Sequence, residues 1–370
     1  AMTRGVKGID PAGSKRAASV YLKTRAVLEK SGWKNVVFAT GTPISNTAAE
    51  IWTFMKYLMK KEVMIENDIY YFDDFVRNFG NIAQSLEFTT AGKFKENTRF
   101  AAYINKPELI RLWASISDTV LTKEVDYVND KVPDMEGGKA QDIYLRQSYS
   151  LVNIMKSVRK KLQNYEKLSG KEKKANSHIP LTMYGVAKRA AIDTRLVDKN
   201  APDDPLSKTN RTIEEILKSL KETDAYKGTV AVFCDQQNRR ENGVVTFDLF
   251  EDMKQKLISK GIPSSQIMVM ESGMTITKKE RIFADVNSGN IRVIIGNTAT
   301  LGTGVNIQER LHTIIHMDAP DRPMDYTQRN GRILRQGNLH KIWGKPVRVL
   351  RFGVEDSLDV TSYQRLKTKA

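Results

Sequence analysis

A chain of 370 residues with 40% hydrophobic side chains has room for two or three domains with genuine cores. Its 59 basic and 43 acidic residues leave a formal charge of +16, an electrostatic argument for a polyanionic partner and not for a fold. No apolar run approaches the ~20 residues that span a bilayer, no signal peptide is visible, and Cys234 stands alone, so an intrachain disulfide is excluded and a reducing, cytoplasmic setting away from membranes is expected.

In chain order, residues 14–31 predict a basic amphipathic helix with Val20, Leu22, Val27 and Leu28 buried. An apolar strand, Val36–Ala39, leads into Thr40-Gly41-Thr42-Pro43, and a helix follows over 48–59. Its Ile51, Phe54, Met55 and Leu58 fall at i, i+3, i+4 and i+7. The aromatic segment 70–80 predicts a packed helix more than a base-stacking platform. A further helix is expected over 107–118, and Thr119–Thr122 as the strand that closes this first part. Residues 126–206 form a helical linker or insertion, with turns at Asn129-Asp130 and Gly137-Gly138. The Lys- and Arg-dense run from Lys156 to Lys174 is either a DNA-facing insertion or a solvated helix and loop, and charge runs are usually the latter. A helix is expected over 183–197.

From Ser207 the pattern becomes regular alternation of helix and strand, which predicts a parallel sheet covered by helices. Ile213, Ile216, Leu217 and Leu220 mark one helix face; the strand Thr229–Cys234 follows, with Cys234 a small core residue. Phe247, Phe250, Met253 and Leu257 mark the next helix, ended by Gly261 in a left-handed cap. Ile267–Met270 is a strand, and Thr277-Lys278-Lys279-Glu280 reads as a capping box. Strands at 292–295, 313–318 and 347–352 bring the expected total from residue 229 onward to five or six. The four histidines show no convincing zinc spacing, so no metal site is expected.

Two segments carry chemistry. Asn297–Gln308 is a glycine-containing loop just past a buried strand, where open α/β sheets bind ligands. Gly302 and Gly304 allow close backbone approach there, and Thr298, Thr303 and Asn306 offer hydrogen bonds. Alone, this is an ordinary strand-to-helix turn. Gln328–Gly337 places Arg332 and Arg335 three apart in what reads as a short helix after a turn, so that two guanidinium forks share a face and suit a polyphosphate. Alone, this is a basic helix surface.

Jointly, these segments and Val36–Asn46 with Glu50-Ile51-Trp52 resemble motifs V, VI and III of superfamily 2 helicases and translocases, in the order that family shows. The TGTP turn with its downstream tryptophan, and Arg335-Gln336-Gly337, resemble the Swi/Snf-like branch. The basic run that often closes the first lobe there is represented only by Lys123. The resemblance covers roughly residues 15–125 and 205–360. It implies an α/β, RecA-like fold: 1–125 as the C-terminal part of a first RecA-like lobe, 126–206 as linker, and 207–370 as a complete second lobe.

The resemblance also implies a motor. ATP and magnesium would sit between two lobes, and Arg332 and Arg335 would meet the γ-phosphate, with Gln328 coupling nucleotide to interface. Thr40, Gly41, Thr42, Glu50, Gly302 and Gly304 would link the nucleotide to strand movement. Thr298, Thr303 and Asn306 would face a nucleic-acid backbone, double-stranded DNA above all. Neither G-x-x-x-x-G-K-[ST] nor Asp-Glu-x-His occurs in the chain. Both precede motif III in this family, so the expectation is a fragment of a bacterial or mobile-element helicase, inactive alone, with no ATP or magnesium bound to it and the front of its first lobe elsewhere in the parent. The alternatives are a non-catalytic nucleic-acid-binding module and the motor subunit of an ATP-dependent restriction system.

Overall fold

A computed structural model describes residues 14–41, 50–88, 94–120, 130–302 and 304–369. The chain divides into two compact units, Ala1–Leu121 and Thr122–Thr368.

The first unit contains α1 (Lys15–Lys30), α2 (Glu50–Leu58), α3 (Lys61–Glu66), α4 (Phe72–Phe79), the antiparallel hairpin β1 (Gly80–Phe88) and β2 (Phe94–Tyr103), and α5 (Lys106–Ala114). Met55, Met59, Met64, Ile69, Phe75 and Phe79 pack with Leu109 and Leu112 into its core. The aromatic segment is thus a packed helix, as its spacing predicts. Trp52 Nε1 donates to the Ile69 carbonyl (2.9 Å) and Trp33 Nε1 to that of Leu58 (2.7 Å), so each buried ring edge has a partner.

Three expectations change here. Val36–Ala39 is not a strand: among the described residues no strand lies beside it to complete its hydrogen bonds, and Val37 is 88% exposed. Thr119 and Val120 are likewise outside any strand, and Leu121–Asn129, with Lys123, lie outside the described residues. On α1, Leu28 is buried but Val20, Leu22 and Val27 are exposed, because the covered stripe runs through Thr24 and Leu28.

The second unit is built on a six-stranded parallel sheet. Its strands are β3 (Gln141–Leu145), β4 (Thr229–Phe233), β7 (Ile267–Val269), β8 (Val293–Gly296), β9 (Leu311–His316) and β10 (Arg348–Val354), in the order β3-β10-β9-β4-β8-β7. The sheet therefore has five strands from residue 229 onward, and an edge strand drawn from the 126–206 segment. That segment also forms α6 (Tyr149–Glu166), α7 (Gly170–Ala175) and α8 (Ile179–Ile192). On α6, Leu151, Met155, Val158 and Leu162 are buried while Lys156, Arg159, Lys160 and Lys161 are exposed.

Every residue of β4, β8 and β9 is buried, which is why β4 and β8 read as near-continuous apolar runs, while β9 carries His312, Thr313 and His316 among its apolar residues. Successive side chains go to opposite faces. Val230 and Val232 meet α9 (Lys208–Glu222) and α10 (Leu249–Ser259) through Ile216, Phe250 and Met253. Ala231 and Phe233 meet α11 (Ile276–Ser288) through Ile282, Phe283 and Val286. Cys234 is fully buried, and burial pushes its thiol well above the usual range.

Between β4 and α10 stands an antiparallel hairpin, β5 (Asn238–Glu241) and β6 (Val244–Asp248). Phe247 therefore belongs to a strand and not to the helix, which Asp248 caps by accepting from the Phe250 and Glu251 amides. Gly261 follows α10 at φ +93, and the Ile262 amide reaches back to the Leu257 carbonyl (3.1 Å), the expected left-handed cap. Helix α11 begins earlier than expected: Thr275, not Thr277, is its N-cap, accepting from the Lys278 amide. The remaining helices are α12 (Thr298–Leu301), α13 (Pro323–Asn330), α14 (Leu339–Ile342) and α15 (Leu358–Lys369). The last is tied to α9 where Lys208 Nζ lies 2.6 Å from Asp359 Oδ2.

Candidate functional site

Three adjacent strands, β8, β4 and β9, end side by side, each followed by a polar residue: Thr298 after β8, Asp235 after β4 and Asp318 after β9. Arg329 from α13 joins them. It is 0% exposed, the largest fully buried side chain of the described residues. Its Nη2 donates to Asp235 Oδ2 (2.7 Å) and Thr298 Oγ1 (2.7 Å), its Nε to Thr298 Oγ1 (3.0 Å), and its Nη1 to the Asp318 carbonyl (3.1 Å) and Oδ1 (3.3 Å). The carboxylates are oriented in turn. Thr298 donates to Asp235 through its amide (2.8 Å) and its hydroxyl (3.0 Å), and the Asp235 amide donates to Asp318 Oδ2 (3.0 Å). The guanidinium also lies 5.3 Å from the centre of the Phe233 ring.

Burial raises the Asp318 carboxyl above its ordinary range even with Arg329 beside it. Burial alone would lower Arg329, but Asp318 and Asp235 hold it raised. His316, buried against Arg329, is pushed down to about 3 by burial and then by that cation. It is therefore neutral, and its Nε2 meets Asn330 Oδ1 at 2.8 Å. A buried pair of this kind is costly to break from one side, so the cluster holds three strand ends and α13 in one arrangement.

Helix α13 stops at Asn330, so Arg332 and Arg335 lie in the turn after it and not on a helix face. Gly331 closes the helix, and Ile333, 0% exposed, is drawn into the core and pins the turn between the two arginines. Asn338 Nδ2 adds bonds to the Leu311 (2.9 Å) and Ile333 (3.2 Å) carbonyls. Arg332 donates to the carbonyls of Gly302 (2.9 Å), Gln328 (3.2 Å) and Val305. Those bonds clasp the loop after α12, where Val305 and Ile307 are buried. Burial, and then Arg335, lower the Arg332 guanidinium. Among the described residues neither arginine pairs with a carboxylate, and Arg335 is half-exposed with no side-chain bond.

The structure thus brings together Gly302, Gln328, Arg332 and Arg335. At Gly302 a Cβ would lie 2.3 Å from the Thr298 carbonyl oxygen, so only glycine fits, whereas Gly304 (φ +66) faces open space. Asn306 is exposed on the same loop, and its carbonyl accepts from Asn287 Nδ2 (3.0 Å). Thr298 turns its hydroxyl into the Arg329 cluster. Thr40, Gly41 and Glu50 belong to the first unit, with Thr40 and Gly41 exposed and Glu50 opening α2. Thr42 and Thr303 lie outside the described residues. Asp235, Asp318 and Ile333 carry the site without having been singled out in the sequence. An acidic residue directly after an apolar strand, twice over, was the available signal.

Residues 208–337 match the family "Helicase conserved C-terminal domain", and residues 2–120 match "Probable helicase domain". Over 140 residues the chain is 26% identical to "Defense against restriction protein B" of Escherichia phage P1, a match covering 35% of this chain and 6% of that protein. The chain is also similar to the C-terminal part of the Fun30 ATPase domain (14% identity, 65% of this chain and 91% of that one, TM-score 0.44). It is similar to the Sulfolobus solfataricus SWI2/SNF2 ATPase C-terminal domain as well (16% identity, 62% and 85%, TM-score 0.42). Two family matches thus fall on separate stretches of the chain: residues 2–120 are similar to a probable helicase domain, and residues 208–337, which hold β4, β7, β8, β9 and the arginine turn, to a helicase conserved C-terminal domain.

Proposed function

We propose that this chain is the rear portion of an ATP-dependent, Swi/Snf-like DNA translocase or helicase, with Arg335 and Arg332 acting on the γ-phosphate. One contrast carries the reading. Arg329 is buried and neutralised by two carboxylates, while Arg332 and Arg335, held close by in one pinned turn, face each other's charge with no carboxylate partner among the described residues. Two neighbouring cations carried on one pinned turn without a carboxylate partner favour an incoming polyphosphate.

In this reading the P-loop and the magnesium carboxylates lie in parts of the parent outside this chain. On this reading the chain alone hydrolyses ATP negligibly. Arg335 supplies positive charge as the phosphoryl group transfers. Arg332, bonded to the Gly302 and Val305 carbonyls, couples the phosphate to the 302–306 loop, and Asn306 with its neighbours on that loop faces the nucleic-acid backbone. Thr40, Gly41, Thr42 and Glu50 of the first unit carry hydrolysis to that backbone. The phage P1 relative, named for defence against restriction, favours a bacterial mobile-element setting for the parent.

The test is double-stranded-DNA-stimulated ATP hydrolysis by the full-length parent. Stimulation that disappears in Arg335→Ala supports the motor. An intact, folded parent without stimulated hydrolysis points to a binding module.

A further inference from the structure

Residues 121–207 fall outside both family matches, yet α6 and α8 wall an open groove of about 370 Å³ with the β5–β6 hairpin. Its floor is apolar: Val158 is 3% exposed, Met183 8% and Leu196 0%. Its rim is cationic, with Lys161 from α6, Arg189 from α8, and Arg239 and Arg240 from the hairpin. Two acids, Asp198 and Glu241, share the wall. Glu241 is engaged by Arg239 (3.5 Å), which also donates to the Arg195 carbonyl (2.7 Å). Asp198 accepts from the Asn200 amide (2.9 Å). Among the described residues Lys161, Arg189 and Arg240 have no carboxylate partner, and Arg189 bonds only the Gly185 carbonyl of its own helix (3.3 Å). Lys156, Arg159 and Lys160 extend the same charge along exposed α6.

Three unpaired cations around an apolar floor match a strand that offers phosphates and an unstacked base together. A duplex keeps its bases stacked inside and presents only its backbone and groove edges. The geometry points to this groove as a second nucleic-acid contact, which takes a single-stranded segment with phosphates on Lys161, Arg189 and Arg240 and a base or sugar over Val158, Met183 and Leu196. The inference rests on the reading that the chain acts on nucleic acid, and it adds a grip on unpaired strand separate from the arginine turn.

The test compares the full chain with its Lys161→Gln/Arg240→Gln variant. Fluorescence anisotropy reads binding of a labelled oligothymidylate and of a duplex of equal length across a salt series. Both side chains are exposed, so an unchanged unfolding midpoint confirms that the variant folds. The expected result is about tenfold weaker single-strand binding, with a salt slope shallower by about 1.4, or roughly 0.7 per lost phosphate contact, and duplex binding little changed. Unchanged affinity and slope, equal loss for duplex, wild-type chain that ignores the oligonucleotide, or tripolyphosphate competing as well as the oligonucleotide would each overturn it. The motor reading is judged apart, by duplex-stimulated hydrolysis of the full-length parent, which the Lys161→Gln/Arg240→Gln change should leave intact and Arg335→Ala should abolish.

Discussion

Arg329 Nη2 and Asp235 Oδ2 stand 2.7 Å apart, joining the helix before the arginine turn to the end of β4. Asp318 completes the pair from the end of β9, at 3.3 Å from Arg329 Nη1. The arginine paired with two carboxylates and the two that have none among the described residues are thus neighbours in sequence with opposite surroundings.

Removing the buried cation should be severe. Arg329→Ala leaves the buried Asp318 carboxylate, with the partly exposed Asp235 beside it, without its cation, at an expected cost of about 3–5 kcal/mol. Chemical denaturation checks this. A loss below about 1 kcal/mol, within the range of a surface substitution, would mean the cluster does not hold the strand ends.

Arg335 should behave in the opposite way. With no side-chain partner among the described residues to lose, Arg335→Ala should change stability by no more than about 0.5 kcal/mol. Arg332→Ala should cost about 1 kcal/mol, because the Gly302 and Val305 carbonyls lose a donor. It should also raise amide exchange across 302–308, which Arg335→Ala should not.

Gly302 and Gly304 are separable by substitution. Gly302→Ala drives a Cβ against the Thr298 carbonyl and should cost about 1–3 kcal/mol. Gly304→Ala meets only its positive φ and should cost about 1 kcal/mol. Equal effects in paired denaturation curves would show that the loop does not pack closely at 302.

Acid should weaken the second unit before its carboxylates titrate. Burial pushes His312 and His316 down to about 3 and His340 to about 4, below the unfolded value near 6.5. Folding with depressed histidines is favoured above the unfolded value, and that stability is lost as pH falls toward the folded one. Each neutral histidine therefore removes about 1.4 kcal/mol per pH unit below about 6.5. Unfolding free energies between about pH 7 and 5 should fall steeply, with a shallower fall in His316→Gln.

The second unit was legible in the sequence because its signals are local and redundant. Apolar runs predicted β4 and β8, the Ile314-Ile315 pair marked β9, and helix faces such as Ile213–Leu220 predicted their cover. The β5–β6 hairpin was missed although Asn242-Gly243 is a strong turn signal, with both residues at positive φ (49 and 82); Phe247 fits either period. The edge strand β3 was hidden because its partner, β10, lies about two hundred residues away in sequence, at a register no local pattern specifies. Arginines in the turn were read from spacing, but their separation into buried and available depends on Asp235 and Asp318, which only the fold brings to Arg329. In the first unit, Val36–Ala39 has the composition of a strand, but composition cannot supply a neighbouring strand.

The central claim is that Arg335 acts on the phosphoryl group without supporting the fold. The most direct measurement is single-turnover ATP hydrolysis by the DNA-bound, full-length parent, wild type against Arg335→Ala, with ATP and DNA affinities measured alongside. The account predicts hydrolysis reduced by roughly 10³-fold or more, with folding and DNA affinity retained. Hydrolysis within a few fold of wild type in a folded, DNA-bound variant would contradict it.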